Sequence, residues 1–236
     1  MMDNEALERF EREFNRSYIA KKRINIILCS ITALLGIIAV ILNLIISKEG
    51  VLIFRYLTID GTIFTATLSL ICAGVNIMEM TKLTEVTHRW VYYIRFASAV
   101  AEGLIFLVVM LSQLPVFDEH MHLWRYDMFL MHLIIPVITF MSFAVNDSPI
   151  GKLRLRQKIQ GNLFVLLYAI VVIYLIATGS IASKYVPYFF LDVVNNPLIQ
   201  TILSIIFIFI LGCFISQIMY QLNLRYSWRW YRRKKK

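Results

Sequence analysis

Charge is scarce in this chain. Asp, Glu, Lys and Arg make up 17% of its 236 residues, against 59% hydrophobic residues and a mean hydropathy of +0.68. A soluble domain of this length has too small an interior to hide so much apolar surface. A bilayer accepts it in runs of roughly 20 apolar residues per helix. Cysteine is scarce as well. Cys29, Cys72 and Cys213 all lie inside apolar runs without metal-type spacing. That argues against a disulfide framework or a zinc site and leaves three packing residues. There is no Gly-rich phosphate loop, no His-Glu-x-x-His and no Gly-x-Ser-x-Gly, so no cofactor and no metal is called for. A cleavable leader is not expected either: the first 23 residues are charged, and no small-residue cleavage motif follows the first apolar run.

What is present is a series of long apolar runs. They predict an all-α membrane protein, a bundle of about six transmembrane helices, with spans near 24–47, 56–80, 91–117, 127–147, 162–178 and 198–222. Short connections favour up-down packing of neighbours. The chain divides into an N-terminal segment 1–23, a transmembrane domain 24–222 and a basic, aromatic tail 223–236. In the first segment Phe10, Phe14 and Tyr18 recur at helical spacing, which fits a surface-lying amphipathic helix or an extramembrane tail. Nineteen lysines and arginines fall on the side of the two termini and four on the other (Lys48, Arg55, Arg125, Lys184), with Arg95 inside the third span. By the positive-inside rule both termini are cytoplasmic. The formal charge of +9 therefore reads as topology and contact with membrane lipids through the tail, where Trp228, Trp230 and Tyr231 suit an interface, and not as nucleic-acid binding. Composition leans toward a bacterial plasma membrane.

Polar residues within the spans carry the functional signal. Thr58, Thr62, Thr65, Ser69 and Asn76 fall on one face of the second helix, and that face must look into the bundle. Asp60 lies off that face near the outer end. His132, Thr139, Ser142 and Asn146 form a second line on the fourth span, where Pro136 disturbs the helix one turn after His132. Glu102 stands near the midplane of the third span and needs a partner or a proton. Arg95 is close enough to the boundary to snorkel. The connection Tyr185-Val186-Pro187-Tyr188-Phe189-Phe190-Leu191-Asp192 is too aromatic for an ordinary wet loop and is expected to cap the bundle. With the termini inside, Thr58, His132 and this loop meet at one depth on the outer side. Two readings stand side by side: hydroxyl stripes as interhelical glue, or a Thr–His catalytic pair. Asp118, Glu119, His120 and His122 form an outer loop that reads as solvated before it reads as metal-binding.

At these same residues the chain resembles the androgen-induced gene 1 family of membrane proteins and their bacterial relatives. The resemblance is carried by Arg55-Tyr56-Leu57-Thr58, by Met131-His132-Leu133-Ile134-Ile135-Pro136 and by the aromatic connection 185–192, and it covers roughly 24–222. The chain departs from the bacterial pattern where Ile59-Asp60-Gly61 follows the threonine and where His132 stands without a second histidine. The resemblance implies an intramembrane threonine hydrolase acting on fatty-acid esters of the membrane, with Thr58 as nucleophile and His132 as base. Asp192, or failing that Asp60, would orient the imidazole. Thr62, Tyr56 and Tyr188 are candidates for stabilising the oxyanion and, with Glu102, for lining the substrate site. The alternative is a proton- or cation-coupled transporter or lipid-binding protein using Glu102, Asp60 and His132. A third is an assembly partner without chemistry.

Overall fold

The computed structural model describes residues 4–47, 49–82, 89–110, 124–147 and 153–232. Within these, all regular structure is helical. Helix α1 (Asn4–Ile46) continues through residue 23 without a break. At helical rise its 43 residues span about 65 Å, roughly twice a hydrocarbon core, so its first turns stand clear of the spanning part, Tyr18–Ile46. A 3-10 turn (Gly50–Arg55) leads into α2 (Leu57–Lys82), and α3 covers Arg89–Val108. The fourth rod, α4, alternates between two registers: α-helix Tyr126–Phe129, π-helix Leu130–Ile134, α-helix Ile135–Met141 and π-helix Ser142–Asn146. The fifth, α5, joins Leu155–Ile159, a 3-10 turn Gln160–Asn162 and Leu163–Ala177. The last, α6, is Leu198–Arg232.

All six rods are long and apolar enough to cross a bilayer, which makes this a multi-pass integral membrane protein. The far end of the expected third span (Pro115, Phe117), the acidic His-bearing loop 118–122 and the tail beyond Arg232 lie outside the described residues.

Helix α3 is the axis of the bundle. Two thirds of its most apolar window (67%) is buried, against 17% for α6. Tyr92, Phe96, Val100 and Leu104 of α3 pack with Phe143 of α4, Val165 of α5 and Met219 of α6 in the main core. Side chains such as Ile27, Ile41, Ile170, Val171 and Phe207 point outward. In water that surface is a liability; in lipid it is the required solvent contact.

Lipid does not drive helices together by hydrophobicity, so close approach and buried polar contacts do. Gly36 of α1 shows the first device. A Cβ there would stand 2.8 Å from the Cβ of Ala66 on α2, so α1 and α2 meet as closely as they do because position 36 has no side chain. Gly36→Leu is expected to destabilise the fold by about 1–3 kcal/mol through overpacking, read as a lower unfolding temperature in detergent; an unchanged value would refute the packing role.

The polar device centres on Arg95. The guanidinium does not snorkel: it is 1% exposed and turned inward. It donates to Ser69 of α2 and Ser142 of α4, both at 3.1 Å, and lies 3.5 Å from the Asp147 carboxylate. Asn25 of α1 joins the cluster, donating to Asp147 at 3.0 Å and accepting from Ser142 at 2.8 Å. Turned inward, the guanidinium reaches partners on α1, α2 and α4 at once, an option that residue spacing on α3 alone does not reveal. A second buried pair, Lys22–Glu79, ties α1 to α2 near the face that carries the termini.

Candidate active site

The candidate site lies at the opposite end of the bundle. Leu57 and Thr58 are the first two residues of α2. The chain arrives there through the 3-10 turn and an extended Tyr56 (φ −92°, ψ 129°), so the first helical N–H groups have no partner within their own helix. The turn is pinned from two sides. Arg55 donates to Glu49 at 2.8 Å and to the Tyr56 hydroxyl at 2.9 Å, while its carbonyl accepts the Tyr168 hydroxyl of α5. This places Thr58 at the rim of the bundle, half-buried, and leaves Thr62, Thr65 and Ser69 of the same face wholly inside.

His132 sits in the first π-helical segment of α4, 4% exposed. Its Nδ1 lies 2.9 Å from the carbonyl oxygen of Met128, one turn back. A carbonyl can only accept, so Nδ1 carries the proton and Nε2 of the neutral ring is bare. Nε2 lies 3.3 Å from Thr58 Oγ1, and the threonine hydroxyl donates to it. That is the geometry of a nucleophile and its general base, somewhat loose as such pairs are before substrate arrives. Widened π-turns recur at functional sites because they re-aim one side chain and leave a backbone carbonyl open to a side-chain donor.

Tyr188 arrives from the connection between α5 and α6. Its ring meets Tyr56 edge-on at 6.5 Å and stacks on Phe190 at 5.4 Å. Burial pushes its phenol up to about 12, while the Thr58 hydroxyl and the N–H groups of Leu57 and Thr58 oppose the rise. Tyr188 is therefore a neutral O–H at working pH, beside the reactive hydroxyl and the N–H groups of Leu57 and Thr58 that open α2. Below this triad of groups an apolar cavity of about 70 Å³ runs into the bundle. Thr58, His132 and Tyr188 lie at one part of its wall; Leu104, Ile105, Val165, Leu166, Ile205 and Ile208 line much of the rest, and Asn162 and Tyr168 are its other polar side chains.

The remaining expected site residues are placed elsewhere. Asp192 does not orient the imidazole. Its carboxylate accepts from the N–H groups of Val194 and Asn195 and from the Asn195 amide at 2.7 Å, closing its own turn. The Asn195 side chain holds this carboxyl below the ordinary aspartate value, burial works against it, and the two backbone N–H groups add to the lowering. A depressed folded-state pKa stabilises the turn above the unfolded value and is lost as pH falls through the folded one. Acidification below the ordinary aspartate range is therefore expected to speed hydrogen exchange around 189–196, and Asp192→Asn to do so already at neutral pH; equal exchange in the variant would refute the link. Asp60 shares the first turn of α2 but faces away from Thr58, half-buried. The Tyr56 hydroxyl is engaged by Arg55. Thr62 and Glu102 are fully buried beneath the dyad; the Thr62 hydroxyl has no hydrogen-bond partner, and neither Glu102 oxygen makes a hydrogen bond of full geometry.

Two contributors escape a sequence reading. Met128 acts through its carbonyl, which no residue type encodes. Tyr168 is one residue of a continuous apolar run, with nothing to mark its hydroxyl. Among the described residues no group of His, Cys, Asp and Glu is arranged to hold a metal ion. Fold and site together define a multi-pass α-helical membrane protein with a Thr–His pair at the rim of an apolar cavity. No family model, curated protein or solved structure matches the chain.

Proposed function

We propose that the protein is an intramembrane threonine hydrolase of lipid esters. The observation that carries this reading is the Thr58 hydroxyl donating to the bare Nε2 of His132 at 3.3 Å, on the wall of an apolar cavity. The short stretches resembling the androgen-induced gene 1 family point the same way.

The acyl chain lies in the cavity and the ester carbonyl sits against Thr58. Thr58 Oγ attacks the carbonyl carbon while its proton passes to His132 Nε2. The negative charge gathers on the carbonyl oxygen, where the Tyr188 hydroxyl and the N–H groups at the start of α2 are the available donors. The carbon–oxygen bond to the alcohol breaks, and the imidazolium returns its proton to that alcohol. Water, activated by the same nitrogen, then releases the acid from Thr58. The Met128 carbonyl holds the ring tautomer throughout. Threonine is stiff at χ1, which favours one attack geometry. With the termini in the cytoplasm, the site opens to the outer leaflet of what we take to be a bacterial plasma membrane, and membrane lipids are both surroundings and substrate.

Fluorophosphonate labelling of purified protein tests the reading directly. Label on the peptide containing Thr58 in wild type, absent from folded Thr58→Ala and strongly slowed in folded His132→Ala, is the expected result. No label on folded wild type would sink it.

A further inference from the structure

The groups left open below the dyad form a set of their own. The bonds between helices fix which residues share a layer. Thr65 of α2 bonds Ser98 of α3 at 2.8 Å, and Ser69 bonds Arg95. The two helices are antiparallel, so one turn toward the dyad brings Thr62 opposite Glu102. Helices α2 and α4 run parallel. Thr58 meets His132, and seven residues further along each stand Thr65 and Thr139. Two adjoining layers thus hold Thr62, Glu102, Thr65, Ser98 and Thr139, all of them 0% exposed.

Their hydrogen-bonding state is unusual. Thr65 and Ser98 bond each other. The hydroxyls of Thr62 and Thr139 have no partner, and the oxygens of Glu102 make no hydrogen bond of full geometry, with the Thr65 hydroxyl placed beside the carboxyl as its hydrogen-bonding neighbour. Buried polar atoms are ordinarily paired, and more strictly so in a bilayer, where no solvent relieves them. Four open oxygens converging from three helices, with two further hydroxyl oxygens next to them, make a set without a donor surplus. It has one potential negative charge and otherwise neutral oxygen ligands. No histidine or cysteine belongs to it, so transition metals are disfavoured, while hard cations prefer such oxygens.

We infer that Glu102, Thr62, Thr65, Ser98 and Thr139 form a buried binding site for a single sodium-sized monovalent cation. The charged groups around it fit that role. On the dyad side α4 presents neutral His132. On the other side Arg95 stands two turns away along α3 and is engaged by Asp147, with Cys29 of α1 next to that pair and Cys72 of α2 further toward the terminal face. At the level of the site α1 brings Gly36, and α6 brings Ile215 and Met219 against Gly103, so no second charge competes there among the described residues. This site goes beyond ester hydrolysis and does not depend on it. The cation would tie α2, α3 and α4 together directly beneath the dyad.

Thermal unfolding of the purified full chain in detergent tests the site without any chemistry at Thr58. Wild type is expected to unfold at a higher temperature as NaCl replaces choline chloride at constant ionic strength, and Glu102→Gln to lose that dependence. Where Glu102→Gln does not fold, Thr139→Val serves instead, with half-saturating Na⁺ raised about tenfold, as for loss of one supporting contact to a metal. No Na⁺ dependence in wild type, or an equal one in a folded variant, overturns the inference. Stabilisation by lower pH in every salt, without a Na⁺ effect, also overturns it and assigns a proton to Glu102 instead.

Discussion

Replacing His132 with alanine is expected to lower ester turnover by about 10²–10⁴-fold, the range typical of a lost general base. Thr58→Ala is expected to remove the acyl-enzyme altogether, so the two variants fail differently. His132→Ala leaves a hydroxyl beside the Tyr188 phenol and the N–H groups of α2, and slow acylation persists. Thr58→Ala leaves a base with nothing to activate. Thr58→Ser separates hydroxyl chemistry from positioning. It keeps the nucleophile and loses the methyl that stiffens χ1, so turnover falls by less than in either alanine variant while labelling is retained. The measurement is hydrolysis of a lipid ester in mixed micelles alongside fluorophosphonate labelling, with folding checked for each protein. Equal turnover in wild type and folded His132→Ala would remove the imidazole from the mechanism. The missing carboxylate matters here. With Met128 supplying only a neutral acceptor to Nδ1, the imidazolium is less stabilised than in a Ser-His-Asp triad, and wild-type turnover should be correspondingly modest.

Much of this architecture is legible before any coordinates. Runs of apolar residues announce six crossings because a bilayer imposes one length and one solvent on every span. The inward faces are legible for the same reason: Thr62, Thr65 and Ser69, and Thr139 and Ser142, are each 0% exposed, since a hydroxyl stripe has no place against lipid. Thr58 and His132 meet because two helices entering from one face put equal depths side by side. Other features resist a one-dimensional reading. Arg95 sits where spacing suggests a snorkelling side chain, yet it turns inward because Ser69, Ser142 and Asp147 from other helices receive it. Asp192 looks like a third catalytic member from its motif, but a turn only three residues long claims its oxygens first. These are matters of who arrives from elsewhere in the chain, which periodicity does not encode.

Arg95 gives the second large effect, on stability. Its guanidinium holds α2 through Ser69, α4 through Ser142 and the end of that rod through Asp147, while α1 reaches the same cluster through Asn25. Removing one member of a buried charged pair strands the other, at a cost of about 3–5 kcal/mol. Arg95→Leu is therefore expected to be the most destabilising single change in the bundle, seen as a large fall in unfolding temperature and in yield of monodisperse protein. The cause is testable by pairing. Asp147→Asn alone strands the arginine, whereas Arg95→Leu with Asp147→Asn leaves no unpaired charge, and the double variant should be more stable than additivity of the singles allows. Arg95→Lys should fall between, because an ammonium keeps the charge but lacks the planar fork that reaches two helices and a carboxylate at once. Strict additivity in the cycle would mean that Arg95 acts by filling space and not by pairing. Coupling would make the cluster the electrostatic keystone of the terminal half of the bundle, and so of the frame against which α2 and α4 present Thr58 and His132 to each other.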